Sequence, residues 1–188
     1  MSTNSTISII KEDDSVETIY CHNDGYIEYN GAILFLHYKD KDKIKGLIDL
    51  GDISSLGKEI IPKGKHSFDN READITVSYY RDRGEDKNNT RAKVFASLEH
   101  YLNSDLSQEY DYLYNLKNKK WYFVNKNMNL NLLEIKVKKC KTMLVGDLKE
   151  EFYEYEKNKK IIKEYNFLNK NINKISNNEE KFKPRFKL

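Results

Sequence analysis

The sequence predicts an α+β fold with a largely antiparallel sheet, helices packed on one face of that sheet and a C-terminal helical extension. Three observations support this prediction. Apolar and polar residues alternate near the N-terminus, which is typical of strands with one buried face. Apolar residues then recur every three or four positions before residue 50, which is the period of an α-helix. The helical period returns after residue 148 and continues to about residue 175.

The first 21 residues predict a β-hairpin. Residues 6–10 are rich in β-branched side chains, and residues 16–21 alternate between apolar and polar side chains. Residues 11–15, which lie between them, are charged and turn-forming. We therefore expect residues 6–10 and 16–21 to pair antiparallel, with one face buried.

Two helices are predicted before residue 50. Apolar side chains are dense between residues 27 and 38, which favours a buried helix. Asp40 is the predicted N-cap of the second helix, because a carboxylate there accepts backbone N–H groups of the first turn. Gly51 is predicted to end this helix, since glycine adopts the left-handed conformation at little steric cost.

The middle of the chain predicts short elements separated by turns. Residues 74–80 have the strongest strand pattern, with Ile75, Val77 and Tyr79 alternating with polar residues. The predicted elements are a compact turn at 51–57, a short strand and a bend at 58–66, a strand at 74–80, a charged loop at 81–89, a strand at 92–95 and a short helix at 97–102 capped by Ser97.

The last third predicts an aromatic hairpin and a long helix. The Tyr-rich residues 109–116 and the aromatic residues 121–124 flank a polar turn, which is typical of two paired strands. Residues 135–137 alternate like a further strand. The predicted organisation is a core domain at residues 1–145, a helical extension at 146–176 and a mobile tail at 177–188.

Composition bounds the class of protein. The 188 residues, of which 38% are hydrophobic and 34% charged, suffice for one domain with a sizeable core and an appendage. The sequence has neither a membrane-spanning apolar run nor a signal-peptide pattern, so we expect a cytoplasmic protein. Cys21 and Cys140 are expected to be free thiols, and no CxxC or HxxxH pair supplies zinc ligands. We therefore expect no metal and no cofactor.

Charge is distributed unevenly along the chain. Residues 1–116 carry 14 Lys and Arg against 21 Asp and Glu, whereas residues 117–141 carry eight against one. A basic segment beside an acidic body can serve an anionic partner. Two complementary halves, or lysine as the default polar residue of an AT-rich gene, explain the same pattern.

Five motifs follow one another over about residues 1–125. They are STNSTI at 2–7, IYCHNDGY at 19–26, GDISSLG at 51–57, YRDRGE at 80–85 and an aromatic hairpin that ends near Trp121. In this order and spacing they resemble a family of small accessory proteins of phages, prophages and plasmids. The family usually has Arg where Asn4 stands and Trp where Asn23 stands, so a site shaped by those side chains is altered here. The resemblance implies an accessory role such as counter-defence, and no activity that can be carried over.

Two polar loops are candidates for a joint ligand site. His22 can act as an acid or base near pH 7, and Asp24 can orient it. Arg81 and Arg83 can clamp a phosphate or carboxylate. The alternatives are a simple Asp24-Gly25 turn and a solvated loop whose charges pair among themselves. The candidate ligand-binding residues are His22, Asp24, Tyr26, Arg81, Arg83 and Glu85.

The basic segment 117–141 is a candidate nucleic-acid or partner surface. Lysines neutralise phosphates, and aromatic side chains stack on bases, so the composition suits single-stranded nucleic acid. A hairpin with its aromatic side chains in the core and its lysines in water has the same sequence. The candidate residues are Lys117, Lys119, Lys120, Trp121, Lys126, Lys136, Lys138 and Lys139.

The preferred interpretation is a counter-defence protein, similar in role to an anti-CRISPR inhibitor, that acts without catalysis. It would bind a host nuclease or nucleoprotein complex, with RNA or DNA contacted by the basic C-terminal third and no membrane involved. The alternative is a protein that binds or hydrolyses a small phosphorylated or nucleotide ligand with the two polar loops. A structural or assembly role is the third possibility. The sequence does not identify the partner or the oligomeric state.

Overall fold

The protein is described by a computed structural model that covers residues 2–106, 108–124 and 129–181, with side chains to residue 170. The chain divides into two compact units, Met1–Lys149 and Glu150–Leu188. Lys126 and residues 182–188 lie outside the described residues, so the predictions made for them stay predictions.

In the part of the chain that the structure describes, eight strands form one mixed sheet. They are β1 (Ser5–Ile10), β2 (Val16–Cys21), β3 (Ile53–Ser55), β4 (Val77–Ser78), β5 (Lys93–Phe95), β6 (Tyr110–Asn115), β7 (Lys120–Val124) and β8 (Leu130–Leu132). Their spatial order is β4-β3-β2-β1-β6-β7-β8, and β5 also pairs with β2. The β1–β6 and β2–β3 pairs are parallel and the other strand pairs are antiparallel, which confirms the predicted α+β class.

The helices are short except for the last one. They are a π-helical turn (Ile27–Gly31), α1 (Ala32–His37), α2 (Lys41–Asp49), α3 (Tyr79–Arg83), α4 (Lys87–Thr90), α5 (Leu98–Leu102), α6 (Leu133–Lys139), a 3₁₀ turn (Lys141–Met143) and α7 (Leu148–Lys181). The predicted caps are confirmed: Asp40 accepts two backbone N–H groups at the start of α2, and Ser97 accepts the His100 N–H in α5. Gly51 has φ +70° after α2, as predicted.

Strand register gives the sheet two distinct faces. The predicted pairing of β1 with β2 is confirmed, with Ile7 opposite Ile19. On the same face, Ile7 lies opposite Tyr112 of β6, and Tyr112 lies opposite Phe123 of β7. The Tyr112 hydroxyl donates to the Gly25 carbonyl at 2.7 Å, so this face is covered by the segment that leads into α1.

The opposite face carries a second apolar cluster. Ile10, Val16, Leu113 and Val124 pack there with Tyr101 of α5. Because Phe95 of β5 and Leu98 and Leu102 of α5 pack against this cluster, the central strands are buried on both sides. The six residues of β1 are all buried, which explains why this strand does not alternate between core and solvent.

Two predictions for residues 74–89 are wrong. The strand predicted at 74–80 is limited to Val77–Ser78, because Ser78 caps α3 and its own N–H is taken by the Asp82 carboxylate at 2.7 Å. The segment predicted as a charged loop instead contains α3 and α4, and Asp86 caps the latter. Side chains that satisfy backbone groups locally favour a helical turn over a strand.

Three other segments also differ from expectation. Residues 135–137 are helical, because Leu133 and Val137 are buried one turn apart in α6. The predicted turn at 51–57 contains β3. Residues 58–66 contain an isolated bridge from Glu59 to Ile75 in place of the predicted strand.

The second unit consists of most of α7, whose backbone continues to Lys181. Phe152 and Tyr155 form a ring pair with centroids 6.0 Å apart. Further along, apolar side chains that include Ile161 and Leu168 are more than half exposed. Of the helices in the described ranges, none is both long enough and apolar enough to cross a membrane.

Candidate functional site

A cleft of about 240 Å³ lies beside the turn of the aromatic hairpin. It combines lysines with aromatic side chains from α1, β6 and β7. Its lining residues are Phe35, Tyr38, Lys39, Tyr114, Lys119, Lys120, Trp121, Leu132 and Glu134. Three residues of the predicted basic surface, Lys119, Lys120 and Trp121, therefore line one cleft. We call it the basic cleft.

The aromatic wall of the basic cleft is rigid. Trp121 donates its indole N–H to the Tyr38 carbonyl at 2.7 Å, and its ring lies 5.1 Å from that of Tyr114. Trp121 is only 6% exposed, whereas Phe35 is half-buried. Trp121 therefore shapes the cleft, and Phe35 is the lining ring with the more accessible face.

Positive charge surrounds the mouth of the basic cleft. The side chains of Lys119 and Lys120 are exposed and, among the residues that the structure describes, have no ion pair. Lys39 lies 5.8 Å from the centre of the Phe35 ring, and partial burial lowers the pKa of its ammonium group. The lining of the cleft therefore holds three ammonium groups and one carboxylate, that of Glu134.

The remaining predicted lysines fall into two groups. Lys117 is paired with Asp14 at 2.7 Å, in an exposed ion pair that costs little to break. Lys136, Lys138 and Lys139 lie in the last turn of α6, and Lys136 is 5.6 Å from the centre of the Phe123 ring. Glu134, at the start of the same helix, lines the cleft. Lys136 is two residues after Glu134, which places it about 3 Å further along the helix axis, and Lys138 and Lys139 are further still.

The first polar loop is tied into the fold. His22 donates its backbone N–H to Ile53 at 3.1 Å, and its ring nitrogen Nδ1 is 3.1 Å from the Tyr20 hydroxyl. Asp24 has φ +56°, a conformation that Asp tolerates in turns. Burial, followed by the charge of Asp24, raises the pKa of Tyr26. Asp24 and Tyr26 are therefore neighbours, within a loop whose backbone is held by β3.

Gly25 locks this loop against the N-terminal strand. Its N–H donates to the Thr3 carbonyl at 2.8 Å. A Cβ atom at Gly25 would lie 2.6 Å from the Asn4 carbonyl oxygen and 2.9 Å from the Ser5 Cβ. Both neighbours belong to a paired strand or its entry, so they have little freedom to move. The loop backbone therefore approaches the N-terminal strand too closely for any residue with a Cβ atom, which explains why residue 25 is glycine.

The second polar segment uses Arg81 internally. Its guanidinium donates to both carboxylate oxygens of Asp82, at 2.7 and 2.8 Å, and to the backbone carbonyls of Ile60 and Thr76. These contacts join α3 to the long segment before β4. Arg81 therefore has a structural role.

Arg83 and Glu85 are more accessible. They form an ion pair at 3.2 Å, and their side chains are 51% and 40% exposed. The Arg83 guanidinium also lies 5.0 Å from the centre of the Phe68 ring. An exposed ion pair of this kind costs little to break, so these two residues stay candidates for ligand contact.

The two polar segments are connected through Asp52 and Tyr79. The Asp52 carboxylate accepts the Tyr20 N–H at 2.8 Å, and its carbonyl accepts the Tyr79 N–H at 3.1 Å. Within the described ranges, no hydrogen bond or ion pair joins His22 or Asp24 to the arginines of α3. The joint ligand site stays a prediction.

Sequence reasoning missed two groups of residues. Phe35, Lys39 and Tyr114 line the basic cleft but lie far from the basic segment in sequence.

The side chain of His66 is fully buried, with its Nε2 3.4 Å from the Asp82 carboxylate and its Nδ1 accepting the Glu72 N–H. A single buried histidine in a polar loop has no periodic signal, so the sequence could not reveal this contact.

Two further findings bear on classification. No group of three or more His, Cys, Asp or Glu side chains in the described residues is arranged to hold a metal ion.

Comparisons of the chain with protein-family models, curated proteins and solved structures found no match. The family resemblance drawn from the motifs stays a prediction.

Proposed function

We propose that the protein is a counter-defence protein of a phage or mobile element, which acts in the host cytoplasm by binding a nuclease or nucleoprotein complex without catalysis. The observation that carries this proposal is the basic cleft, where Lys119 and Lys120 lie beside aromatic side chains and form no ion pair with a described residue. The accessory role itself rests on the motif resemblance over residues 1–125.

The charge arrangement favours an anionic partner. Two exposed lysines elsewhere in the described segments have a carboxylate partner, Lys41 with Glu12 and Lys117 with Asp14. Among the described residues, no carboxylate pairs with Lys119 or Lys120, so a phosphate would gain their charge without displacing one of these residues. Each lysine that contacts phosphate releases condensed counterions, which makes binding favourable at low salt.

The backbone of Lys119 supports a role for its side chain. Its φ is +56°, in a region where glycine and asparagine are the usual residues. A lysine at this position is strained, and strained residues concentrate at functional sites. Lys119 is also one of the residues that line the basic cleft.

The first experiment is a pull-down of the tagged full chain from host lysate, with and without nuclease treatment. Recovery of a nuclease together with its nucleic acid supports the proposal. Loss of the nucleic acid without loss of the protein partner assigns the contact to protein. Recovery of neither, from lysates of several hosts under low salt, contradicts it.

The second experiment compares two charge-matched variants. One replaces Lys119 and Lys120 by Ala, and the control replaces Lys63 and Lys65, which are also exposed. If the cleft contacts single-stranded nucleic acid, log K should fall less steeply with log salt in the first variant, with a slope smaller in magnitude by about 1.4, at about 0.7 per lost phosphate contact. Equal behaviour of the two variants would contradict the proposal, because it would make the charge effect non-specific.

A further inference from the structure

A second, polar cavity of about 180 Å³ lies on the other face of the sheet. It is formed by β1, β2, β5 and the segment that leads into β6. Its lining residues are Thr6, Thr18, Ile19, Tyr20, Asp52, Lys93, Leu106 and Gln108. Its volume corresponds to about six water molecules, at about 30 Å³ each. The space therefore suits a small polar molecule.

The floor of this cavity is polar in a place where the sheet is otherwise apolar. Thr6 donates to the Asp111 carboxylate at 2.5 Å and lies 2.8 Å from the Tyr101 hydroxyl. Ser8 and Thr18 are hydrogen-bonded to each other at 2.6 Å. Further along the same face, Ile10, Val16 and Leu113 form an apolar cluster. These hydroxyls satisfy one another, the buried Tyr101 hydroxyl and the Asp111 carboxylate, and of them Thr6 and Thr18 also line the cavity.

The rim of the cavity carries one group of each charge. One oxygen of the Asp52 carboxylate accepts the Tyr20 N–H at 2.8 Å, and no hydrogen bond from a described residue reaches the other oxygen. Burial raises the pKa of Asp52, and the positive charge of Lys93 partly opposes this shift. Lys93 is exposed on β5 and, within the described ranges, forms no ion pair. The two charges are thus close enough to influence each other and too far apart to pair directly.

We infer that this cavity binds a free α-amino acid as its zwitterion. The ammonium group of the ligand would meet the open oxygen of Asp52, and its carboxylate would meet the Lys93 ammonium group. The hydroxyls of Thr6 and Thr18, together with the Gln108 amide oxygen, supply acceptors for a polar side chain, because the Gln108 amide nitrogen already donates to the Leu106 carbonyl. A ligand with both charges would complete two charge-assisted contacts that the described residues leave unmade. This inference is independent of the basic cleft and of the proposed function.

The test is saturation-transfer NMR on the full chain with each of the twenty common amino acids in turn, each at a concentration of about 1 mM. Binding of one or more of them is expected, strongest for polar side chains. The N-acetyl derivative and the methyl ester of the best ligand each lack one charge, so each should bind at least about tenfold more weakly. Absence of saturation transfer for all twenty amino acids would overturn the inference.

Two variants and a control assign the contacts. Asp52→Asn keeps an oxygen for the Tyr20 N–H, and Lys93→Met changes an exposed side chain, so both should fold. Each is expected to weaken binding at least about tenfold, while Asp49→Asn, an exposed acid outside this cavity, leaves binding unchanged. If Asp52→Asn fails to fold, Lys93→Met decides alone. Unchanged binding to Lys93→Met would exclude this cavity as the site.

Discussion

Trp121 of the aromatic hairpin donates its indole N–H to the backbone carbonyl of Tyr38, at 2.7 Å. The two residues are 83 positions apart in the chain, and both are almost fully buried. This hydrogen bond joins β7 to the C-terminal end of α1 and defines one wall of the basic cleft. The wall of the cleft formed by Trp121 is therefore part of the buried core of the domain.

Replacing Trp121 by Phe should destabilise the protein. The Tyr38 carbonyl loses its buried partner, and such a loss costs about 1–3 kcal/mol. Because the ring is buried, affinity for an anionic partner should change much less than in the Lys119 and Lys120 variant. Urea unfolding and a binding titration on the same samples separate the two effects. A loss of affinity without a loss of stability would show that Trp121 contacts the partner directly.

Arg81→Ala and Arg83→Ala should differ sharply in stability. Arg81 donates to Asp82 and to two backbone carbonyls, so its removal should cost about 1–3 kcal/mol. Arg83 has an exposed ion pair, whose loss costs at most about 1 kcal/mol. Thermal melts by circular dichroism test the difference. Equal melting temperatures for the two variants would mean that the Arg81 contacts are not made in solution.

Gly25→Ala should destabilise the domain, because the new Cβ atom would lie 2.6 Å from the Asn4 carbonyl oxygen. Overpacking of this kind typically costs about 1–3 kcal/mol. Gly64→Ala is the matched control, since only the Glu72 carboxylate lies near its added Cβ, at 3.9 Å. Chemical denaturation measures both variants. Similar stabilities would show that the loop can move away from the N-terminal strand.

Stability should fall in acid partly through Asp82. Burial by itself would raise the pKa of this carboxyl, but hydrogen bonds from Arg81 and the Ser78 N–H hold the pKa below its ordinary value. A folded pKa below the unfolded one, which is about 3.9, stabilises the protein above that pH, and the contribution is lost as the pH falls towards the folded pKa. Asp82→Asn should therefore be destabilising at pH 7 and progressively less so below about pH 4.

Asp52→Asn is the control in the same pH series, because the pKa of Asp52 is shifted in the opposite direction to that of Asp82. Burial raises the pKa of Asp52, so the ionised carboxylate costs stability at neutral pH. The amide should be neutral or stabilising at pH 7, and its advantage should vanish as the pH falls below the unfolded pKa, about 3.9. Identical pH profiles for the Asp82 and Asp52 variants would contradict both assignments.

Both cysteines should resist alkylation in the native protein. Burial raises the pKa of Cys21 to about 11 and is the main cause of a similar rise, to about 11, for Cys140. Since the thiolate is the reactive form, little of either thiol is available at pH 8. Mass spectrometry after iodoacetamide treatment, with and without urea, tests this expectation. Rapid labelling of folded protein would show that one of these segments opens readily.

The sequence alone predicts the elements whose signals are local. The β1–β2 hairpin follows from the β-branched residues at 6–10 and the apolar and polar alternation at 16–21, and the starts of α2 and α5 follow from Asp40 and Ser97. The positive φ of Gly51 follows from the absence of a Cβ atom. Each of these features depends on interactions between residues that are close in the chain, so the sequence alone is enough to predict it.

The candidate basic surface was predictable only in part. Lys119, Lys120 and Trp121 are adjacent in sequence and line one cleft, as a basic and aromatic run suggests. The pairing of Lys117 with Asp14 joins two turns that lie 103 residues apart, so composition could not separate this lysine from its neighbours.

Tertiary structure decided whatever depends on distant partners. Residues 74–80 have a strand pattern, yet Ser78 and Asp82 cap a helix there, since the neighbouring strand β3 offers only three residues for pairing. From the sequence, the Arg81 side chain could equally bind a ligand or make internal contacts. In the structure it donates to the backbone carbonyls of Ile60 and Thr76, so it faces inward. The sequence by itself determined local periodicity, caps and turns. Long-range pairing, such as β1 with β6, determined which side chains are buried and which stay free to bind, because burial and hydrogen bonding depend on groups that meet only in the folded chain.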